Sequence, residues 1–153
     1  MNNKVIKIYL DNCCYNRPFD DQSQLIINIE SIAKLYIQSM ILAGRFELVW
    51  SDILEYENSK NPFEERSTRI IKWKSVAKTK VESTHSVIEE AKNIMQYGIR
   101  PKDALHISSA ITAKADYFIT TDKGIIRRAG EISKVIILNP IDFVKEMEGE
   151  NEN

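Results

Sequence analysis

The chain has 153 residues, 43% of them hydrophobic and 28% charged, with a formal net charge of −1. That length suits one domain able to bury about two thirds of the surface its unfolded form exposes, and the near-zero charge gives no global attraction to nucleic acid. No apolar run approaches the roughly 20 residues that span a bilayer, and the opening MNNKVIKIYLDN carries no apolar segment with a small-residue cleavage site, so a cytoplasmic protein is expected.

Val5 to Leu10 reads as a first strand, near-continuously apolar as expected when both faces of a sheet are covered. It stops on Asp11, followed by the adjacent pair Cys13 and Cys14. Neighbouring cysteines bridge only under strain and leave no second pair for zinc, so both are expected as reduced packing thiols. RPFDDQS follows as a loop. From Gln24 to Ala43, Leu25, Ile29, Ile32, Tyr36 and Met40 recur at three and four residues, which predicts a helix closed by Gly44.

FELVW predicts a second strand and a helix begins near Ser51 or Asp52. KNPFEERS breaks it, and a charged amphipathic helix through Ile70, Ile71 and Trp73 follows. KTKVEST reads as a weak edge strand and SVIEEAKNIMQYG as a helix closed by Gly98. RPKDALHISSAITAKA reads as another, with Pro101 in its first turn. DYFIT and KVIIL are strands, NPIDFVKEM is a last short helix, and 148–153 is expected to be a disordered acidic tail. Strands alternating with helices predict a single α/β domain over 1–147, a three-layer α/β/α sandwich with a mainly parallel central sheet. Ligands of such sheets bind beyond the carboxyl ends of the strands.

Two strands end on an Asp. Asp11 alone reads as a turn residue and Asp122 as the N-cap of KGIIRRA; together, on neighbouring parallel strands, their carboxylates would share one crevice. In the second helix Asp52 and Glu55, three apart, fit a capping arrangement. Glu57 instead shares the apolar face of Ile53 and Leu54, where a carboxylate requires a partner. Asp103 likewise shares a face with Ile107 and Ala110, although an acid in a first turn also suits the helix dipole. His106, one turn on, reads as a satisfied, half-buried histidine. Four carboxylates in one crevice would repel by roughly 4 kcal/mol per pair at about 4 Å, with an effective dielectric of 20. An all-oxygen set of this kind suits a hard divalent cation, Mg²⁺ or Mn²⁺.

IYLDNCCYN, SDILEYEN, PKDALHISSA and YFITTDKG, in this order, resemble the four acidic motifs of PIN-domain ribonucleases, which include VapC-type toxins. The resemblance runs from about Lys4 to Phe143. It implies a PIN-like nuclease domain, with Asp11, Glu57, Asp103 and Asp122 as its acids around one or two Mg²⁺ (or Mn²⁺) ions. It also implies metal-dependent hydrolysis of RNA phosphodiester bonds. Thr120 matches a hydroxyl that positions ligands or water, and Asn12 stands where many members carry Thr or Ser as a polar contact. For toxin members the resemblance implies an antitoxin partner and a homodimer, although CCYNRPFD departs from the commonest toxins.

Arg17, Arg100, Lys102, Lys123, Arg127 and Arg128 fall beside the acids, where they could meet phosphates. The principal alternative is a catalytically inactive PIN-type module for RNA binding or protein interaction; retention of all four acids argues against it. The dehalogenase type of phosphoryl-transfer domain needs a second Asp where this chain has Cys13.

Overall fold

A computed structural model describes residues 4–151. Five strands, β1 (Ile6–Leu10), β2 (Phe46–Ser51), β3 (Thr79–Val81), β4 (Tyr117–Ile119) and β5 (Ile136–Leu138), form one sheet in the order β3-β2-β1-β4-β5. Every pairing is parallel, so the sheet is wholly parallel where a mainly parallel one was expected. β1 is central: Ile8 stands between Leu48 and Tyr117, and Ile8, Tyr9 and Leu10 are fully buried. That burial on both faces is why its sequence lacks alternation. β3 lies at an edge, as its polar alternation predicts.

The helices are α1 (Asn12–Asn16), α2 (Leu25–Leu42), α3 (Asp52–Ser59), α4 (Glu64–Ile71), α5 (Trp73–Val76), α6 (His85–Met95), α7 (Pro101–Thr112), α8 (Lys123–Arg128) and α9 (Pro140–Asn151). They cover the sheet, α2 packing on α9 and α6 on α7. The chain leaves β1 for β2 on one side and returns to β4 on the other. The boundary between β1 and β4 is therefore a topological switch point, where a crevice opens at the strand ends.

Four local expectations are corrected. The stretch expected as a loop opens with a 3₁₀ turn, Arg17–Phe19. The single amphipathic helix expected near Trp73 is two, α4 and α5, meeting at Lys72. The N-cap of α3 is Ser51, whose Oγ accepts from Leu54 N at 3.3 Å. Asp52 instead accepts from Ser83 N at 3.0 Å, and Glu55 pairs with Lys74 at 2.7 Å. Finally, α9 continues through Glu148–Asn151, because Phe143 and Met147 are buried one turn apart and Glu148 accepts from the Tyr36 hydroxyl at 2.7 Å. Residues 152–153 of the expected tail lie outside the described residues.

α2 forms where its periodicity predicts, but turned outward. Leu25 is 72% and Ile32 60% exposed, whereas Glu30, Ser31, Lys34 and Gln38 are buried beside Ala33, Ile37 and Ile41. By length and composition alone α2 is apolar enough to cross a bilayer, with a mean hydropathy of 1.4. In this fold it is an outer-layer helix whose Glu30 meets Arg17 at 3.3 Å.

Candidate active site

β1 and β4 end side by side, and their final carboxylates are fixed by the turns that follow. Asp11 caps α1: its amide donates to Ile119 O at 2.9 Å, and its Oδ1 accepts from Asn12 N at 2.8 Å. Its other oxygen accepts from the buried Thr120 hydroxyl at 2.8 Å, and the same hydroxyl accepts from Asp122 N at 3.0 Å. Thr120 thus ties the two strand ends together. Asp122 caps α8 through Oδ1, which accepts from Ile125 N at 3.1 Å. Each Asp is therefore both a turn residue and a wall of the crevice.

Glu57 enters from α3 and meets His106 of α7. His106 is 1% exposed; its Nε2 bonds to Glu57 Oε1 and stands 3.8 Å from Asp11 Oδ1. Burial opposes a charged imidazole, but the Asp11 charge and the bond to Glu57 outweigh it and raise the His106 pKa. Burial likewise opposes ionised Glu57, yet His106, Lys102 and the Asn12 amide together lower its pKa. On its other side His106 Nδ1 hydrogen-bonds Tyr9 Oη at 2.6 Å, and that hydroxyl bonds Ser51 Oγ at 2.6 Å. Asn12 Nδ2 donates to Glu57 Oε2 at 3.2 Å.

Asp103, in the first turn of α7, completes the set. Burial, and then the charges of Asp11 and Asp122, push its carboxyl above the usual range. Arg100 counters by spanning two acids, with Asp103 Oδ2 and Asp122 Oδ2 at 3.2 and 3.1 Å from its guanidinium. All four predicted acids line one open cavity of about 290 Å³, together with Asn12, Cys13, Asn16 and Asp20.

Among the described residues no three acids, histidines or cysteines stand close enough together to grip a metal ion as they are. The donor chemistry nevertheless fits a hard cation. The cavity wall offers carboxylate oxygens, both nitrogens of His106 are engaged, and beyond its burial Asp103 is opposed by the charges of Asp11 and Asp122. The arrangement can gather positive charge at the strand ends.

Of the other predicted residues, Arg17 meets Asp20 at 3.1 Å and Glu30 at 3.3 Å, and donates to Thr121 Oγ1 at 2.8 Å, all within the protein. Lys123 is exposed at the start of α8. Four residues of the site escaped the sequence reading, among them Asn16 on the cavity wall. His106 is fully buried where a half-buried histidine was expected, and it touches the acids; its position one turn after Asp103 was the available signal. Cys13 packs against the core as expected, but it also lies on the cavity wall with Sγ 3.5 Å from Asp11 Oδ2, whereas Cys14 is buried. Asp20 is brought in by the 3₁₀ turn, which no periodicity marks.

A family model described as the PIN domain matches residues 9–131, which includes every one of these positions. The chain belongs to the PIN-domain family. No curated protein is similar enough to match it. Among solved structures, this PIN domain is similar to VapBC2 from Rickettsia felis bound to a DNA fragment from its promoter. That likeness has a TM-score of 0.54 and 19% identity, over 88% of this chain and 98% of that one. It is also similar to DNA-bound VapBC from Salmonella typhimurium, with a TM-score of 0.53 and 14% identity, over 89% of this chain and 99% of that one. Both likenesses are of fold.

Proposed function

We propose that this PIN domain is a metal-dependent endoribonuclease that hydrolyses RNA phosphodiester bonds, with Asp11, Glu57, Asp103 and Asp122 holding one or two Mg²⁺ or Mn²⁺ ions. The observation that carries the reading is the single cavity lined by all four carboxylates at the switch point of a parallel sheet. A divalent ion bound there would polarise the phosphate and make water a nucleophile at neutral pH. Thr120 holds Asp11, and His106 and Asn12 hold Glu57, so these two carboxylates keep their places before substrate arrives. Arg100 keeps Asp103 and Asp122 together and must give way, or turn to a phosphate, when a cation enters.

The solved neighbours are VapBC toxin–antitoxin complexes, which supports a toxin role with an antitoxin protein as partner. The exposed apolar stripe of α2 supports a protein-covered surface, and a second copy of this chain is the occupant we infer. The expected place of action is the cytoplasm, where RNA is.

One observation favours the second reading, an inactive RNA-binding or protein-interaction module: Arg100 already pairs with two of the four acids. Cleavage of a labelled mixed RNA pool in Mg²⁺, Mn²⁺ or EDTA, run beside Asp11→Asn, decides between them. Metal-dependent cutting lost in the variant is expected. Intact RNA under every condition, with binding retained, establishes the module instead.

A further inference from the structure

We propose that a second cavity, next to the acids, is a subsite for a backbone phosphate of the RNA strand, held by Arg127 and Arg128. This rests on the RNA reading above and adds to it the path of the strand.

The cavity encloses about 380 Å³ and shares Asp103 and Asp122 with the cavity of the four acids, so the two are joined across that pair of carboxylates. Three arginines line it. Arg100 is committed to the two acids. Arg127 has no hydrogen bond or ion pair among the described residues, and Arg128 reaches Glu131 only at 4.0 Å. Two arginines, one without an ion pair among the described residues and one whose carboxylate partner stands 4.0 Å away, thus line one cavity in a chain whose net charge is −1.

Their place at the end of α8 suits the helix dipole, but that accounts only for a positive charge, not for where the second one lies. Arg128 lies over Gly98. A Cβ there would stand 3.3 Å from Nη2, and the φ of +85° at Gly98 belongs to the left-handed region that ends α6. The residue that closes one helix therefore leaves the space in which the guanidinium sits. A guanidinium matches the oxygens of a phosphate with two parallel hydrogen bonds. A phosphodiester chain entering the acid cavity also needs a compensating charge beside it, because the carboxylates repel its neighbouring phosphates. Arg127 and Arg128 supply that charge on the side of Asp103 and Asp122.

The test reads binding without cleavage. A fluorescent single-stranded RNA is titrated by anisotropy in EDTA across a salt series. The parent is compared with Arg127→Ala/Arg128→Ala, with Arg127→Lys/Arg128→Lys, and with Lys78→Ala/Lys80→Ala at the β3 edge of the sheet. The alanine pair is expected to weaken binding about tenfold and to flatten the slope of log affinity against log salt by about 1.4, at roughly 0.7 per lost contact on a single strand. The lysine pair keeps the slope, and the β3-edge pair leaves slope and affinity unchanged. A parent slope in the alanine pair, an equal loss in the β3-edge pair, or a parent that binds no RNA overturns the subsite. Arginine-dependent binding without cleavage in any metal would leave the subsite standing and remove only the nuclease. Cleavage with arginine-independent binding would do the reverse.

Discussion

His106 joins Glu57 to Tyr9: its Nε2 bonds the carboxylate and its Nδ1 lies 2.6 Å from the phenol oxygen, which in turn reaches Ser51 at the start of α3. The α3 helix that carries Glu57 and the α7 helix that carries Asp103 are thereby locked to the central strand by one buried chain of hydrogen bonds. His106→Ala is expected to lower RNA cleavage about 10- to 100-fold, the usual effect of losing a group that orients ligands. KM for RNA should stay put while kcat falls, and His106→Gln should recover part of the loss. A fall in thermal stability with unchanged kcat would make His106 a structural residue only.

Asp103 is half-buried against two like charges, so its ionised form opposes folding. Asp103→Asn is expected to raise Tm, by about 2–4 °C for each kcal/mol of repulsion relieved in a domain of this size. Loss of its pairing with the exposed Arg100 should offset little of this. Mg²⁺ should raise the parent's Tm and the variant's less. Calorimetry showing a lower Tm for the variant would mean that the pairing with Arg100 outweighs the repulsion.

Lys34 is 5% exposed on the inner face of α2, with Nζ 5.7 Å from the centre of the Tyr15 ring. Burial lowers its pKa to about 8. The unfolded chain, with an ordinary lysine near 10.5, therefore binds more protons between those values, and stability rises with pH across that window. The gap corresponds to about 3 kcal/mol carried as a penalty at pH 7. Lys34→Met should recover up to that amount at pH 7 in urea unfolding and should flatten the rise toward pH 10 relative to the parent. An equally steep rise in the variant would assign it to another group.

The outer stripe of α2 exposes Leu25, Ile32, Leu35 and Leu42, recurring at three and seven residues. Burying such a stripe against a copy of itself removes apolar surface from water at about 25 cal/mol per Å². Light scattering is expected to give a dimer for the parent and a monomer for Ile32→Glu. A monomeric parent would leave the stripe to a different partner.

The sequence by itself determined every strand and the main helices, though not α1 or the break at Lys72, and it determined which acids gather. Hydrophobic period and strand-end position are local properties, and Asp11 and Asp122 needed only parallel neighbours to meet. Glu57 was legible in preference to Glu55 because a helix turns about 100° per residue, and the structure indeed sends Glu55 to Lys74 and Glu57 to the cavity. Period says that a helix has a face, however, not which face turns inward. In α2 the apolar stripe lies outside, while Glu30 and Lys34 lie inside, because Arg17 and the Tyr15 ring wait there. Only the tertiary structure decided that, as it decided that His106 lies between Tyr9 and Glu57 and that Arg128 finds room over Gly98. Each is a contact between residues far apart in the chain, and packing alone supplies it.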